Sequence, residues 1–169
     1  SLPDAWVHFR MVHRLSRNIA RDSPGHRSCR ADLNLAHLAI ERASLDRARH
    51  RVESALRTAR RLGDDDAEGQ GHLLLGLVYH LRGQVNSAEG QYARAIELLT
   101  STGNTRGLSA AYRHRGDLRR ARGGRKNAER DLLTSRAIAE TGGHGDLYWF
   151  ARVAHCYFRA TKGDLGGQK

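Results

Sequence analysis

Gly63, Gly103 and Gly143 stand forty residues apart, each at the end of a helical pattern. A second ladder, Ala43, Gly83, Gly123 and Gly163, has the same period, and a third runs Ala48, Ala88, Ala128. A fixed period of this size marks a solenoid, because one unit cannot bury its apolar face alone and must stack on the next. Such an array presents an extended surface, so the period points to holding a partner and not to pocket chemistry.

The helical character follows from composition. Only Pro3 and Pro24 interrupt 169 residues, and the rest is rich in Ala, Leu, Arg and Glu, which favour helix. The pattern predicts first helices at about 29–42, 67–82, 106–122 and 146–162, and second helices at 45–62, 86–101 and 126–141. Ser44 and Asn86 or Ser87 are the expected N-caps. Gly63, Gly103 and Gly143 are the expected left-handed residues after second helices. Very short links around Gly83, Gly123 and Gly163 force the paired helices antiparallel. The stripe Leu45, Ala48, Val52, Ala55, Leu56, Ala59, Leu62 faces one neighbouring layer, and Ala48, Ala88 and Ala128 allow close approach. Residues 4–22 form a further expected helix, with stripe Ala5, Phe9, Val12, Leu15 and Ile19, ended by Ser23-Pro24-Gly25 and a loop to about Ser28.

The net charge is +11, carried almost entirely by arginine. The arginines spread over every helix, so they weigh more as compositional bias than as one anionic docking site. Cys29 and Cys156 are too few and too far apart for a disulfide framework or a metal knuckle, and a reducing, cytoplasmic setting is expected. No apolar run approaches the ~18 residues of a spanning helix. A start at Ser-Leu-Pro-Asp, without methionine or an apolar leader, reads as a piece cut from a longer protein.

Catalytic and cofactor signatures do not stand out. The ten histidines form no HExxH pair. Asp64-Asp65-Asp66 lacks the alternation of a calcium loop and reads as a helix start. Gly123-Gly124-Arg125-Lys126 lacks the strand and order of a phosphate loop, and there is no nucleophile elbow. The expectation is no enzyme, no metal and no cofactor. Arg42, Arg82, Arg122 and Lys162 recur at the last turn of each first helix, where a cation complements the helix dipole.

The repeats resemble the tetratricopeptide family. Leu75-Gly76, Tyr79, Gly83, Ala88, Tyr92 and Ala95 fit its spacing over 69–102. Leu35-Ala36, Ala39, Ala48, Val52 and Ala55 fit it over 29–62, and Gly116, Gly123, Ala128, Leu132 and Ser135 over 109–142. Arg115 and Arg119 depart from it, since apolar or aromatic residues are preferred there. A partial repeat, 146–163, aligns through Cys156, Phe158 and Gly163, and the array as a whole covers 29–163. Asp164-Leu165 looks like the start of another unit, so either the helix at 146–162 caps the array or the chain stops inside a longer one. The period exceeds the family's usual thirty-four or so. The excess is expected between repeats, at Leu62–Ala67 and Ser101–Gly107, as in a long-repeat subtype of bacterial multidomain regulators. Residues 4–22 match a second helix poorly, with His8 where a small residue is expected, and read as a cap or linker helix.

The resemblance implies an all-α, right-handed superhelical solenoid of antiparallel helix pairs whose first helices line a concave groove. Its expected partner-binding positions are Arg30, Leu33, Asn34, His37 and Ile40, then Gln70, Leu73, Leu74, Leu77 and His80, then Arg113, His114, Asp117 and Arg120, then Phe150, Val153 and Tyr157. An apolar middle at Leu73 and Leu77 beside Arg113 and Arg120 suits a peptide with an apolar anchor and a carboxylate. The expected function is thus a protein-interaction module of a bacterial regulatory or signalling protein, binding a peptide or another domain of its parent, away from membranes. Two alternatives stay open: nucleic-acid binding through the arginine-dense stretch 112–130, and self-association through the C-terminal end.

Overall fold

In a computed structural model of the chain, the backbone is described for residues 23–163 and side chains for 23–156. The expected helix at 4–22 and the residues after 163 lie outside that range. The described chain is all α: α1 (Pro24–Glu41), α2 (Leu45–Leu62), α3 (Asp65–Leu81), α4 (Val85–Thr102), α5 (Thr105–Ala121), α6 (Arg125–Thr141) and α7 (Gly145–Gly163). The helices pair as α1/α2, α3/α4 and α5/α6, each pair packs on the next, and α7 lies against α6 and α5. First helices also touch first helices along one side of the stack, α1 with α3, α3 with α5 and α5 with α7.

Three sequence expectations need correction. Helix α1 begins at Pro24 instead of after Ser28, because Ser23 accepts the His26 N–H at 3.4 Å and Pro24 occupies the first turn. Asn86 and Ser87 fall inside the first turn of α4, whose N-cap is Gln84. The residues in excess of the usual period lengthen the helices and do not fill the links. Residues 65–67 belong to α3, residues 101–102 to α4 and residues 105–107 to α5. Asp64 and Asn104 cap the N–H groups of Ala67 and Gly107 at once, restarting the helix directly after Gly63 and Gly103.

Links within and between pairs therefore have one geometry. Residues 43, 63, 83, 103, 123 and 143 all take positive φ, and five of them are glycine. The residue after each donates its N–H back to the closing turn, as in Asp64 to the Ala59 carbonyl at 3.0 Å and Asn104 to Leu99 at 3.1 Å. Ala43, at φ 55, holds this conformation against the steric cost of its Cβ.

Close helix crossings explain the small residues on the first helices. A Cβ on Gly69 would meet Leu99 at 2.9 Å, and one on Gly76 would meet Tyr92 at 2.6 Å. At the matching place in α1 the Cys29 thiol donates to the Ala55 carbonyl at 3.3 Å, and in α5 Ser109 bonds Ser135. Between pairs, Leu75 joins Val52 and Leu56, Val78 joins Ala39 and Ala48, and Leu118 joins Ala88 and Tyr92. Arg115 and Arg119 break this apolar pattern together, because both clamp the buried Asp131 of α6. Among the described residues no helix is long and apolar enough to cross a membrane.

Candidate functional site

The side of the stack formed by first helices holds a groove of about 450 Å³. Helix α1 gives it Leu33, Asn34 and His37, α3 gives Gln70, Leu73, Leu74 and Leu77, and α5 gives Arg106, Gly107, Ala110, Arg113 and His114 together with its N-cap Asn104, with Leu147 of α7 also in the lining. The groove thus joins three successive pairs and the start of a fourth helix. The beginnings of α3 and α5 are tied together across it. Asn104 caps Gly107 with its oxygen at 2.8 Å and donates its amide to Asp66 at 2.7 Å, while the other Asp66 oxygen accepts from Gln70 at 3.0 Å. Arg106 reaches on to Asp146 of α7 by a forked ion pair.

A polar inner wall lies next to the leucines. Arg113 Nη2 is 3.0 Å from His114 Nε2. A guanidinium only donates, so that nitrogen accepts and His114 is neutral with its proton on Nδ1. Burial first, then the Arg113 cation, His80 and His37, push the His114 pKa well below the usual histidine range. Its ring stacks on Tyr92 at 6.2 Å, and the Tyr92 hydroxyl lies 3.4 Å from His80 Nδ1. Burial lowers His80 and raises Tyr92. Asp117 is raised, mainly by burial, against the opposing pull of Arg113, Arg120 and His80. Burial likewise lowers Arg113, which Asp117 and Tyr92 oppose, and its Nε has no hydrogen-bond partner.

Of the positions expected from sequence, Leu33, Asn34, His37, Gln70, Leu73, Leu74, Leu77, Arg113 and His114 line this groove. Leu73 is nearly covered and belongs to the core around Tyr92 and Leu99, so Leu77 offers the more open apolar surface. His80 and Asp117 do not line it and belong to the adjoining polar cluster. Arg30, Ile40 and Arg120 do not line it, so the expected pairing of Arg113 with Arg120 is split. Phe150 and Val153 are exposed on α7 outside the cavity, with the centre of the Phe150 ring 6.0 Å from the Arg113 guanidinium carbon. Tyr157 is in α7, but its side chain lies beyond the described range.

Asn104, Arg106, Gly107, Ala110 and Leu147 complete the lining without having been expected. Ala110 was legible, since it stands forty residues after Gln70. The others enter because helix starts converge from neighbouring pairs, which spacing along one helix face does not show.

The arginine-dense stretch 112–130 divides between two helices and is largely committed internally. Arg115 and Arg119 hold Asp131 at 2.8 and 3.0 Å, Arg119 and Arg122 hold Glu89 at 2.9 and 3.2 Å, and Arg113 holds His114. In the basic ladder Arg82 pairs with Asp46 as Arg122 does with Glu89. Burial, then Asp64 and Asp32, push the Cys29 thiol up to about 11, so it is protonated at neutral pH. Among the described residues no three His, Cys, Asp or Glu side chains converge as a metal site.

Two solved structures share this architecture. The TPR (tetratricopeptide repeat) domain of Arabidopsis FLU superposes with a TM-score of 0.63 at 19% identity, over 70% of this chain and 99% of that one. BtubC (BKLC) from P. vanneervenii superposes with a TM-score of 0.57 at 15% identity, over 99% of this chain and 78% of that one. At these identities the likeness gives the fold, an all-α helical-repeat solenoid. No protein-family profile matches the chain, and no curated protein sequence matches it.

Proposed function

We propose that the chain is a non-catalytic interaction module that holds an extended peptide, or an exposed segment of another domain, along the first-helix groove. The groove itself carries this reading: about 450 Å³ shared by three helix pairs, lined by Leu77 of α3 and by Arg106 and Arg113 of α5. Its ligand has an apolar anchor with a carboxylate beside it, matched by leucines next to guanidinium groups. A buried, protonated Cys29 and two histidines held neutral by burial serve packing and not bond making. The forty-residue unit supports a place in a cytoplasmic bacterial regulator, where the ligand belongs to a signalling partner or to the parent protein.

Selection from a displayed peptide library on immobilised protein, followed by titration calorimetry, tests the reading. Selected peptides should share an apolar residue flanked by an acid. Leu77→Gln and Arg106→Gln should each weaken binding about tenfold, or ~1.4 kcal/mol, with helicity unchanged. Affinity unchanged from the parent protein in both variants refutes the groove as the site.

A second reading draws on Trp149, Phe150 and Val153, which leave an apolar strip exposed along α7. It makes α7 a contact for a second copy of the chain. Light scattering that shows a monomer at every concentration excludes it.

A further inference from the structure

One side of the first helix pair carries two hollows, and neither shares a residue with the first-helix groove. The first, of about 240 Å³, is lined by Leu35, Leu38 and Arg42 of the α1 side and by Ser44, Arg47 and Arg51 of the α2 side. The second, of about 260 Å³, is lined by Ser54, Arg57, Thr58 and Arg61. Ser44, Arg47, Arg51, Ser54, Thr58 and Arg61 follow one another at three- and four-residue steps, so a single stripe of α2 carries both hollows. The face is apolar at one end, where Leu35 and Leu38 are 45% and 47% exposed, and cationic along the rest. Forty residues on, Leu75 and Val78 hold the places of Leu35 and Leu38 and are 7% and 0% exposed, since Val52, Ala55 and Ala48 of α2 pack with them. A helix therefore covers the equivalent face one unit later.

The charge of this face is unspent. Of the acids in α1 and α2, Asp32 holds Arg51 at 2.9 Å, Glu53 holds Arg49 at 2.7 Å, Asp46 holds Arg82, and Glu41 lies 3.4 Å from His37. Arg42, Arg47, Arg57 and Arg61 are exposed, and no ion pair ties any of them to another described residue. Stacking does not require these cations. Forty residues on, Arg47, Arg51, Arg57 and Arg61 become Ser87, Gln91, Glu97 and Ser101, and eighty on they become Asn127, Asp131, Ala137 and Thr141. A uniform bias towards arginine would have reached those positions too. The positive stripe is therefore a property of this one unit, and like the groove it lies where the repeats differ.

We propose that this face is a second docking surface, for an acidic amphipathic helix of another protein. Its apolar residues seat on Leu35 and Leu38, and its carboxylates meet Arg42, Arg47, Arg57 and Arg61. The stripe from Ser44 to Arg61 runs ~26 Å along α2, so a helix of about seventeen residues matches it. Exposed ion pairs are individually weak, so binding needs the leucines together with several guanidinium groups. Charge selects this occupant over the others. A second copy of the chain brings a net charge of +11. The chain's own residues before Ser23 carry Arg10, Arg14, Arg17 and Arg21 against Asp4 and Asp22, which is the same sign as the stripe. A nucleic acid would meet the arginines, but it would set phosphates against Leu35 and Leu38, and the lining has no aromatic ring for a base to stack on.

The test is selection from a displayed library of helical peptides on the full chain, with counter-selection on a protein carrying Arg47→Glu, Arg57→Glu and Arg61→Glu. Recovered peptides should be acidic, with apolar residues three and four apart. In fluorescence anisotropy, a recovered peptide should bind the charge-reversed protein, and separately a Leu35→Asp, Leu38→Asp protein, at least about tenfold more weakly than the parent. Its affinity should fall as salt rises. Leu77→Gln with Arg106→Gln, in the groove, should leave it unchanged, which separates this surface from that one. Both variants of the face should keep the parent's helicity and melting temperature, because the altered side chains are exposed. Recovery of no peptide, or of peptides without negative charge, overturns the proposal, as does unchanged affinity in either variant. A lowered melting temperature in the Leu35/Leu38 variant overturns it too, since the chain itself then covers the face. So does an oligonucleotide that binds more tightly than any recovered peptide and is lost from the charge-reversed protein, which makes the stripe a phosphate track. Self-association of the parent in light scattering that the charge-reversed protein lacks makes a second copy the occupant and overturns it as well.

Discussion

Removing the Asp131 carboxylate should cost the array more than any surface change, and grafting the neighbouring unit's solution should restore it. Asp131 has 3% of its side chain exposed and accepts from Arg115 at 2.9 and 2.8 Å and from Arg119 at 3.0 Å. Breaking a buried ion pair by deleting one partner costs about 3–5 kcal/mol, since the other charge is left uncompensated. Here the arginines are not wholly stranded. Arg119 keeps Glu89 at 2.9 Å, Arg115 lies 5.2 Å from the Tyr112 ring, and their side chains are 23% and 15% exposed. The low end, about 3 kcal/mol, is therefore expected for Asp131→Ala. The preceding unit places Leu75, Tyr79 and Gln91 at the three matching positions. The combination Arg115→Leu, Arg119→Tyr and Asp131→Gln should then recover most of that loss, because no buried charge is left unpaired. Urea unfolding followed by circular dichroism reads both, and 3 kcal/mol moves the midpoint by roughly 1–3 M. A loss below about 1 kcal/mol for Asp131→Ala would class the clamp with surface pairs. A triple variant as unstable as the single one would show that the clamp specifies the α5/α6 crossing and does not merely substitute for apolar packing.

Two further outcomes follow from local geometry. Ala43→Gly should raise stability by about 0.5–1 kcal/mol in thermal melts, since relief of ~1–2 kcal/mol of left-handed strain exceeds the added freedom of the unfolded chain; the φ of 55 at Ala43 motivates it, and a lowered melting temperature refutes it. His114 is held below its unfolded pKa by burial and by Arg113, so its contribution is full above about pH 6.5 and is lost as pH falls toward the folded value, at up to ~1.4 kcal/mol per pH unit. His114→Gln should flatten this dependence between about pH 6.5 and 5.5 relative to the parent, and parallel stability curves for the two proteins would contradict a neutral His114.

The glycine and alanine ladders were enough to fix an all-α repeat, its period and the antiparallel pairing, because turns that need positive φ and helices that must approach closely both restrict residue type. They were silent on where extra length goes, since Asp64 and Asn104 act as caps only once their oxygens reach the N–H groups of Ala67 and Gly107. The sequence marked Arg115 and Arg119 as out of pattern, but it did not pair them with Asp131, which lies on the next helix at a position that holds Gln91 in the preceding unit. The groove divided in the same way. Leu33, His37, Gln70, Leu77 and Arg113 follow from one face of each first helix, as Ala110 also does. Asn104, Arg106 and Leu147 do not, nor does the separation of Arg113 from Arg120. Periodicity determines which face of a helix turns inward, because that depends on residues three and four apart. Which helix ends meet, and which charges are buried by the meeting, depends on how successive pairs stack, and only the tertiary structure decided it.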